Sequence, residues 1–106
     1  MKIRHKFNAR KTECDGIKFD SKLEGSYYTL LKALERSGNV VFFLRQVPFH
    51  LPGGTTYRVD FQVFWSSGDV TFDDVKGMMT KEFIRNKKQV EDLYPVEIRV
   101  IKKGDF

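Results

Sequence analysis

Apolar residues recur along this chain in two rhythms. Between Lys22 and Arg36, Leu23, Tyr27, Leu30, Leu31 and Leu34 return every three or four positions, the period of an amphipathic helix. Ser21 offers an N-cap and Gly38 a terminator, so the spacing predicts a helix over 22–36. Elsewhere the rhythm is two or the run is continuous. Ile17-Lys18-Phe19 reads as a short lead-in strand. Val40 to Leu51 reads as an extended segment, with Pro48 hinting at an edge or a bend. Pro52-Gly53-Gly54 makes a turn, Tyr57 to Trp65 a strand, Ser66-Ser67-Gly68-Asp69 a second turn and Val70 to Lys76 a further strand. A second helix is predicted from Lys81 to Tyr94, capped by Thr80 and stopped by Pro95. Val96 to Ile101 closes the series as a β-prone strand. Three successive strands followed by a helical crossover imply a mixed sheet with helices packed on it, an α/β (α+β) core of minimal size.

Certain polar residues interrupt these patterns. In YRVDFQVFW, Val59, Phe61, Val63 and Trp65 share one face, whereas Asp60, Gln62 and Phe64 share the other. Asp60 lies between large apolar neighbours, and an isolated carboxylate there is costly to bury. In TFDDVKG, alternation puts Phe72, Asp74 and Lys76 on one face and Thr71, Asp73 and Val75 on the other. Asp74 and Lys76 then point the same way, about 6.6 Å apart along the strand. A four-residue turn joins the two strands, so they are expected to pair antiparallel. That pairing brings Asp60 near Asp74 in a register the sequence leaves open. Two neighbouring carboxylates repel unless a cation lies between them, and a hard ion with oxygen ligands, Mg²⁺ or Mn²⁺, suits such a pair. The plainer reading of Asp74 and Lys76 is a surface ion pair worth about 0–1 kcal/mol.

Glu24 also carries two readings. Ser21-Lys22-Leu23-Glu24 fits a capping box, in which the glutamate bonds back to the helix N-terminus. At 100° per residue Glu24 also lies on the edge of the apolar stripe, from which it can reach the sheet.

Composition narrows the setting. A chain of 106 residues with 41% hydrophobic content makes one globular domain. Nothing in it approaches the roughly 20 apolar residues of a membrane span, and the N-terminal stretch lacks the apolar middle of a secretory signal. Cys14 is the single cysteine, so no internal disulfide forms and a reducing interior, the cytoplasm, is the expected compartment. The net charge of +5 is unevenly placed. Lys2, Arg4, Lys6, Arg10 and Lys11 precede the first acid, Glu13, and the remaining basic residues balance the 14 acids. The chain therefore divides into a basic N-terminal arm, residues 1–16, and one domain, residues 17–106. The arm suits a polyanion, or serves as a solubilising tail. Lys81, Arg85 and Lys88 fall on one face of the second helix, opposite Phe83, Val90 and Tyr94. Lys81 in the first turn opposes the helix dipole unless an anion visits, and a phosphate backbone supplies one. No base-reading module is visible, so contacts to phosphates are expected to position the chain.

The ordered set FDSKLEGSYYTLLKALERSG, LRQVPFHL, YRVDF and DDVKG, followed by a basic helix, resembles the PD-(D/E)xK nuclease superfamily. Within it the chain looks most like small phage endonucleases and Holliday junction resolvases of the endonuclease I type. The resemblance implies a restriction-endonuclease-like αβββαβ core over roughly Phe19 to Ile101. It matches Glu24 to the acid of the first helix, Asp60 to the aspartate of the P-D element, and Asp74 and Lys76 to (D/E)-x-K. It further implies that Asp60, Asp74 and the carbonyl of Val75 hold a catalytic Mg²⁺ or Mn²⁺, with Glu24 completing the site and Gln46 a weaker match on the preceding strand. Val59 replaces the signature proline. If the strand carries a bulge at this point, Asp73 rather than Asp74 is the ligand. The implied activity is Mg²⁺-dependent cleavage of branched DNA in recombination, by a homodimer. A flap or single-strand nuclease fits the same residues, as does a nucleic-acid-binding accessory protein without turnover.

Overall fold

The computed structural model describes residues 12–106, so the arm positions Arg4, Lys6, Arg10 and Lys11 lie outside the described residues. Two short strands, β1 (Thr12–Cys14) and β2 (Ile17–Phe19), form an antiparallel hairpin ahead of helix α1 (Lys22–Ser37). Ser21 caps α1 by accepting the Glu24 N–H at 3.0 Å. Gly38 ends it in the left-handed region at φ 88°, and the Asn39 N–H returns to the Leu34 carbonyl. Strands β3 (Val40–Leu51), β4 (Thr55–Trp65) and β5 (Val70–Val75) follow, then α2 (Lys81–Leu93) and β6 (Ile98–Ile101). The sheet runs β3-β4-β5-β6, with the first two pairings antiparallel and the last parallel across α2. This is the mixed α+β architecture that the hydrophobic pattern predicts, with element ends shifted by a residue or two. Tyr94 caps α2 rather than ending it, and the final strand starts at Ile98.

Of the hairpin β1–β2, the pattern announces the second strand, Ile17–Phe19, but not the first. Residues 12–14, assigned to the arm from charge, pair with residues 17–19 and lie against α1. A Cβ at Gly25 would come within 2.5 Å of the Thr12 methyl, so glycine permits the approach of hairpin to helix.

Alternation on β5 and β6 divides the core. Val75 and Ile101 join Phe19, Tyr27, Tyr28, Leu31, Val40, Phe61 and Val63 under α1. Phe72, Ile98 and Val100 pack instead with Phe83 and Val90 of α2. The helices therefore cover opposite faces of the sheet. On β3 and β4 the same parity changes sides. Phe43, Phe61 and Val63 belong to the α1 cluster, whereas Val47, Phe49, Leu51 and Val59 belong to the α2 cluster. The β3–β4 ribbon thus turns over between these sets, at Gln46 and Asp60. Gln46 takes a left-handed conformation, φ 55°, uncommon for a residue other than glycine, asparagine or aspartate.

Candidate metal centre

The turnover of the ribbon coincides with the parting of β4 from β5. Their register ends at Phe61↔Asp73, and continuing it by one residue sets Asp60 opposite Asp74. Beyond that point side chains replace the backbone ladder. The Asp60 N–H donates to Asp74 Oδ1 at 3.2 Å, and the Val75 N–H donates to Asp60 Oδ2 at 2.9 Å. Gln46, on the other side of β4, donates from Nε2 to Asp60 Oδ1 at 3.4 Å. Two carboxylates are therefore held at one end of the sheet by backbone amides from each other's strands.

Asp74 is 1% exposed, and its Oδ2 is buried with no hydrogen-bond partner among the described residues. The nearest cation, Lys76 Nζ, stands 4.0 Å away, beyond hydrogen-bond reach. The ammonium lies 4.6 Å over the Phe83 ring, which steadies it next to the carboxylate. Burial raises the pKa of Asp74 more than the Lys76 charge lowers it. Burial likewise raises that of Asp60, against the opposing hydrogen bond from Val75 and the charge of Lys76.

Glu24 reaches this end of the sheet from the first turn of α1. It is 7% exposed, and its side of the capping box is not made: Ser21 accepts the Glu24 amide, but the described residues show no return bond from the carboxylate to Ser21. Burial, then the negative charge of Asp60, pushes the Glu24 carboxyl up to about 7, with Asp20 and Asp74 adding to the rise. The charges of Asp60 and Asp74 therefore both oppose the ionisation of Glu24.

The two adjacent aspartates have different partners. Asp73 lies on the α1 side, fully buried, where Arg99 Nε and Nη2 grip it at 2.9 and 2.8 Å and the Tyr27 hydroxyl donates to Oδ2. Its oxygens are satisfied by protein groups. Asp74 keeps one oxygen, Oδ2, without a partner among the described residues. Alternation along β5 continues without a bulge through this pair.

The basic residues of α2 stand apart from the carboxylates. Lys81, Arg85 and Lys88 are exposed on the face away from buried Phe83 and Val90, and Lys88 pairs with Asp92 at 3.6 Å. Two cations that the sequence reading passed over have defined roles. Arg99 neutralises Asp73. Arg45, on β3 just before Gln46, stacks 4.7 Å over the Phe19 ring and lowers the pKa of both Glu24 and Asp60. A lone arginine in a strand with no acidic or other strongly basic residue was the available signal for it.

Among the described residues, no three histidine, cysteine, aspartate or glutamate side chains form a ready-made metal cage. Mg²⁺ does not require one, since it commonly takes one or two carboxylates and completes its shell with water and phosphate oxygens. The buried, unpartnered Asp74 Oδ2 beside Asp60 fits that mode. No helix of the described chain is long and apolar enough to cross a membrane.

Residues 4–103 match the model of a family described as "Protein of unknown function (DUF1064)". No curated protein matches the chain.

Proposed function

We propose that this chain, which belongs to the DUF1064 family, is a metal-dependent nuclease that hydrolyses phosphodiester bonds, with branched DNA as its substrate. One observation carries the reading: Asp74 is buried with an oxygen that no group of the described residues satisfies, 4.0 Å from the Lys76 ammonium, and its other oxygen is linked to Asp60. An orphaned buried carboxylate oxygen costs on the order of 1–3 kcal/mol. A bound cation would remove that cost.

Asp60 and Asp74 would hold the ion, with the carbonyl of Val75 and the carboxylate of Glu24 beside them. Bound Mg²⁺ would neutralise phosphate charge and acidify a coordinated water. Lys76, already steadied by Phe83, is placed to donate to a phosphate oxygen as charge builds there. Glu24, with its carboxyl near 7, can give or take a proton near neutral pH. Gln46 keeps Asp60 from rotating away. The exposed Lys81, Arg85 and Lys88 supply phosphate contacts outside the centre. Preference for branched DNA, and action as a homodimer, follow from the resemblance to junction resolvases.

The test is incubation of a labelled four-way junction, and a linear duplex of the same sequence, with Mg²⁺ or with EDTA. Mg²⁺-dependent cleavage of the junction alone is expected. No Mg²⁺-dependent cleavage of any nucleic acid would sink the nuclease reading, and equal cutting of both substrates would sink the preference for branches.

A further inference from the structure

Arg45 lies beside the carboxylates yet bonds to none of them. Its strand β3 pairs it with Phe61, on the α1 side and one residue before the turnover at Gln46. The guanidinium lies 4.7 Å above the Phe19 ring, and its Nε is buried with no hydrogen-bond partner among the described residues. No carboxylate of the described residues lies within ion-pair distance of it, although its charge is felt by both Glu24 and Asp60. Residues 1–11 contain no aspartate or glutamate that could serve instead.

This is an unusual state for arginine. A guanidinium presents five donors in a planar fork, and leaving a buried N–H unmet is expensive. Stacking on Phe19 holds the plane, so the fork is aimed in advance and loses little freedom when an acceptor arrives. An anion that comes and goes would meet the fork, and it would enter where Glu24 and Asp60 oppose negative charge. A phosphodiester oxygen bound together with a metal ion meets both conditions. Lys76 flanks the carboxylates from the β5 side and Arg45 from the β3 side, one cation on either side of the acids.

We propose that Arg45 binds a backbone phosphate of the nucleic-acid substrate, gripping a non-bridging oxygen beside Glu24 and Asp60. The inference rests on the nuclease reading above and adds a residue that contacts substrate directly. The bland alternative is that Arg45 merely offsets the Glu24 charge.

The experiment compares Glu24→Gln with the double variant Glu24→Gln/Arg45→Gln, so that removing the arginine leaves no uncompensated glutamate. Binding of a labelled four-way junction is followed by fluorescence anisotropy across a salt series with Ca²⁺ in place of Mg²⁺, so that a divalent ion accompanies the phosphate. Loss of a phosphate contact should weaken binding about five- to tenfold and reduce the slope of log K against log salt by about one. A structural role would shift the melting temperature and leave the slope alone. Equal affinity and slope in the two variants would overturn the proposal; if the wild-type chain still cleaves DNA with Mg²⁺, the nuclease reading stands without it. A wild-type chain that neither binds nor cleaves nucleic acid would overturn both.

Discussion

Asp73 and Asp74 are neighbours in sequence, both almost wholly shielded from solvent, and they face opposite sides of one strand with opposite fates. Asp73 has its charge met by Arg99 and Tyr27. Asp74 meets one amide and keeps an oxygen with no partner. One is satisfied inside the fold, and the other keeps an oxygen without a partner among the described residues.

The first prediction separates them. Asp73→Asn should destabilise the protein by about 1–3 kcal/mol, because charge-assisted bonds to Arg99 are lost. Asp74→Asn removes an uncompensated buried charge and should leave the metal-free protein as stable or more so, while abolishing Mg²⁺-dependent cleavage. Urea titrations in EDTA, paired with cleavage assays, report both quantities. The reverse outcome, a stable but inactive Asp73→Asn with an active Asp74→Asn, would move the ligand to Asp73.

Metal binding should appear as stability. A divalent ion that binds only the folded state raises the melting temperature in proportion to the logarithm of its concentration. Mg²⁺ or Mn²⁺ should stabilise the wild-type chain relative to EDTA, and Asp60→Asn or Asp74→Asn should erase the effect. Differential scanning fluorimetry over a metal titration is sufficient to see it.

Glu24 sets a pH dependence for the metal-free protein. Its folded carboxyl is pushed up to about 7 by burial and by Asp60, from the ordinary 4.5. The folded state therefore holds more protons than the unfolded state between these values, and stability falls as pH rises through that window. The full loss is on the order of 2–3 kcal/mol above pH 7. Asp60 and Asp74 shift in the same direction and add to it. In EDTA, unfolding free energy should decline from pH 5 to pH 8, and Glu24→Gln should flatten the curve. A curve that rises over this range would show that the three acids do not meet.

Gln46 holds a left-handed backbone where β3 turns over. Gln46→Val should cost about 1–3 kcal/mol, since a β-branched side chain resists that conformation. Gln46→Gly relieves the backbone but removes the amide from Asp60. It should retain stability and lose part of the cleavage rate, a split that kcat measured beside urea denaturation will resolve.

The face of α2 is separable from the centre. Lys81→Ala with Arg85→Ala should weaken DNA binding similarly for every sequence and lower the salt slope by up to about two, with cleavage at saturating DNA little changed. Unchanged binding would leave these side chains as an ordinary solvated face.

Local periodicity was enough to place both helices and the main strands, because apolar spacing and caps act over a few residues. It also separated Asp73 from Asp74, since side chains alternate along any strand. Those features need no knowledge of what packs where. The strand Thr12–Cys14 and its pairing with Ile17–Phe19 were not visible in this way, since three residues without apolar alternation leave no mark. Nor was the approach of Glu24 to Asp60 and Asp74, for its place in S-x-x-E gave it a complete local explanation. The grip of Arg99 on Asp73 and the position of Arg45 over Phe19 each join residues 26 apart in the chain, and the reversal of the ribbon at Gln46 meets Asp60, 14 residues away. Such relationships depend on the register of long-range pairing and on which groups burial leaves without partners. Only the closed tertiary structure decides them, because the cost of an unmet charge exists only once water has been excluded.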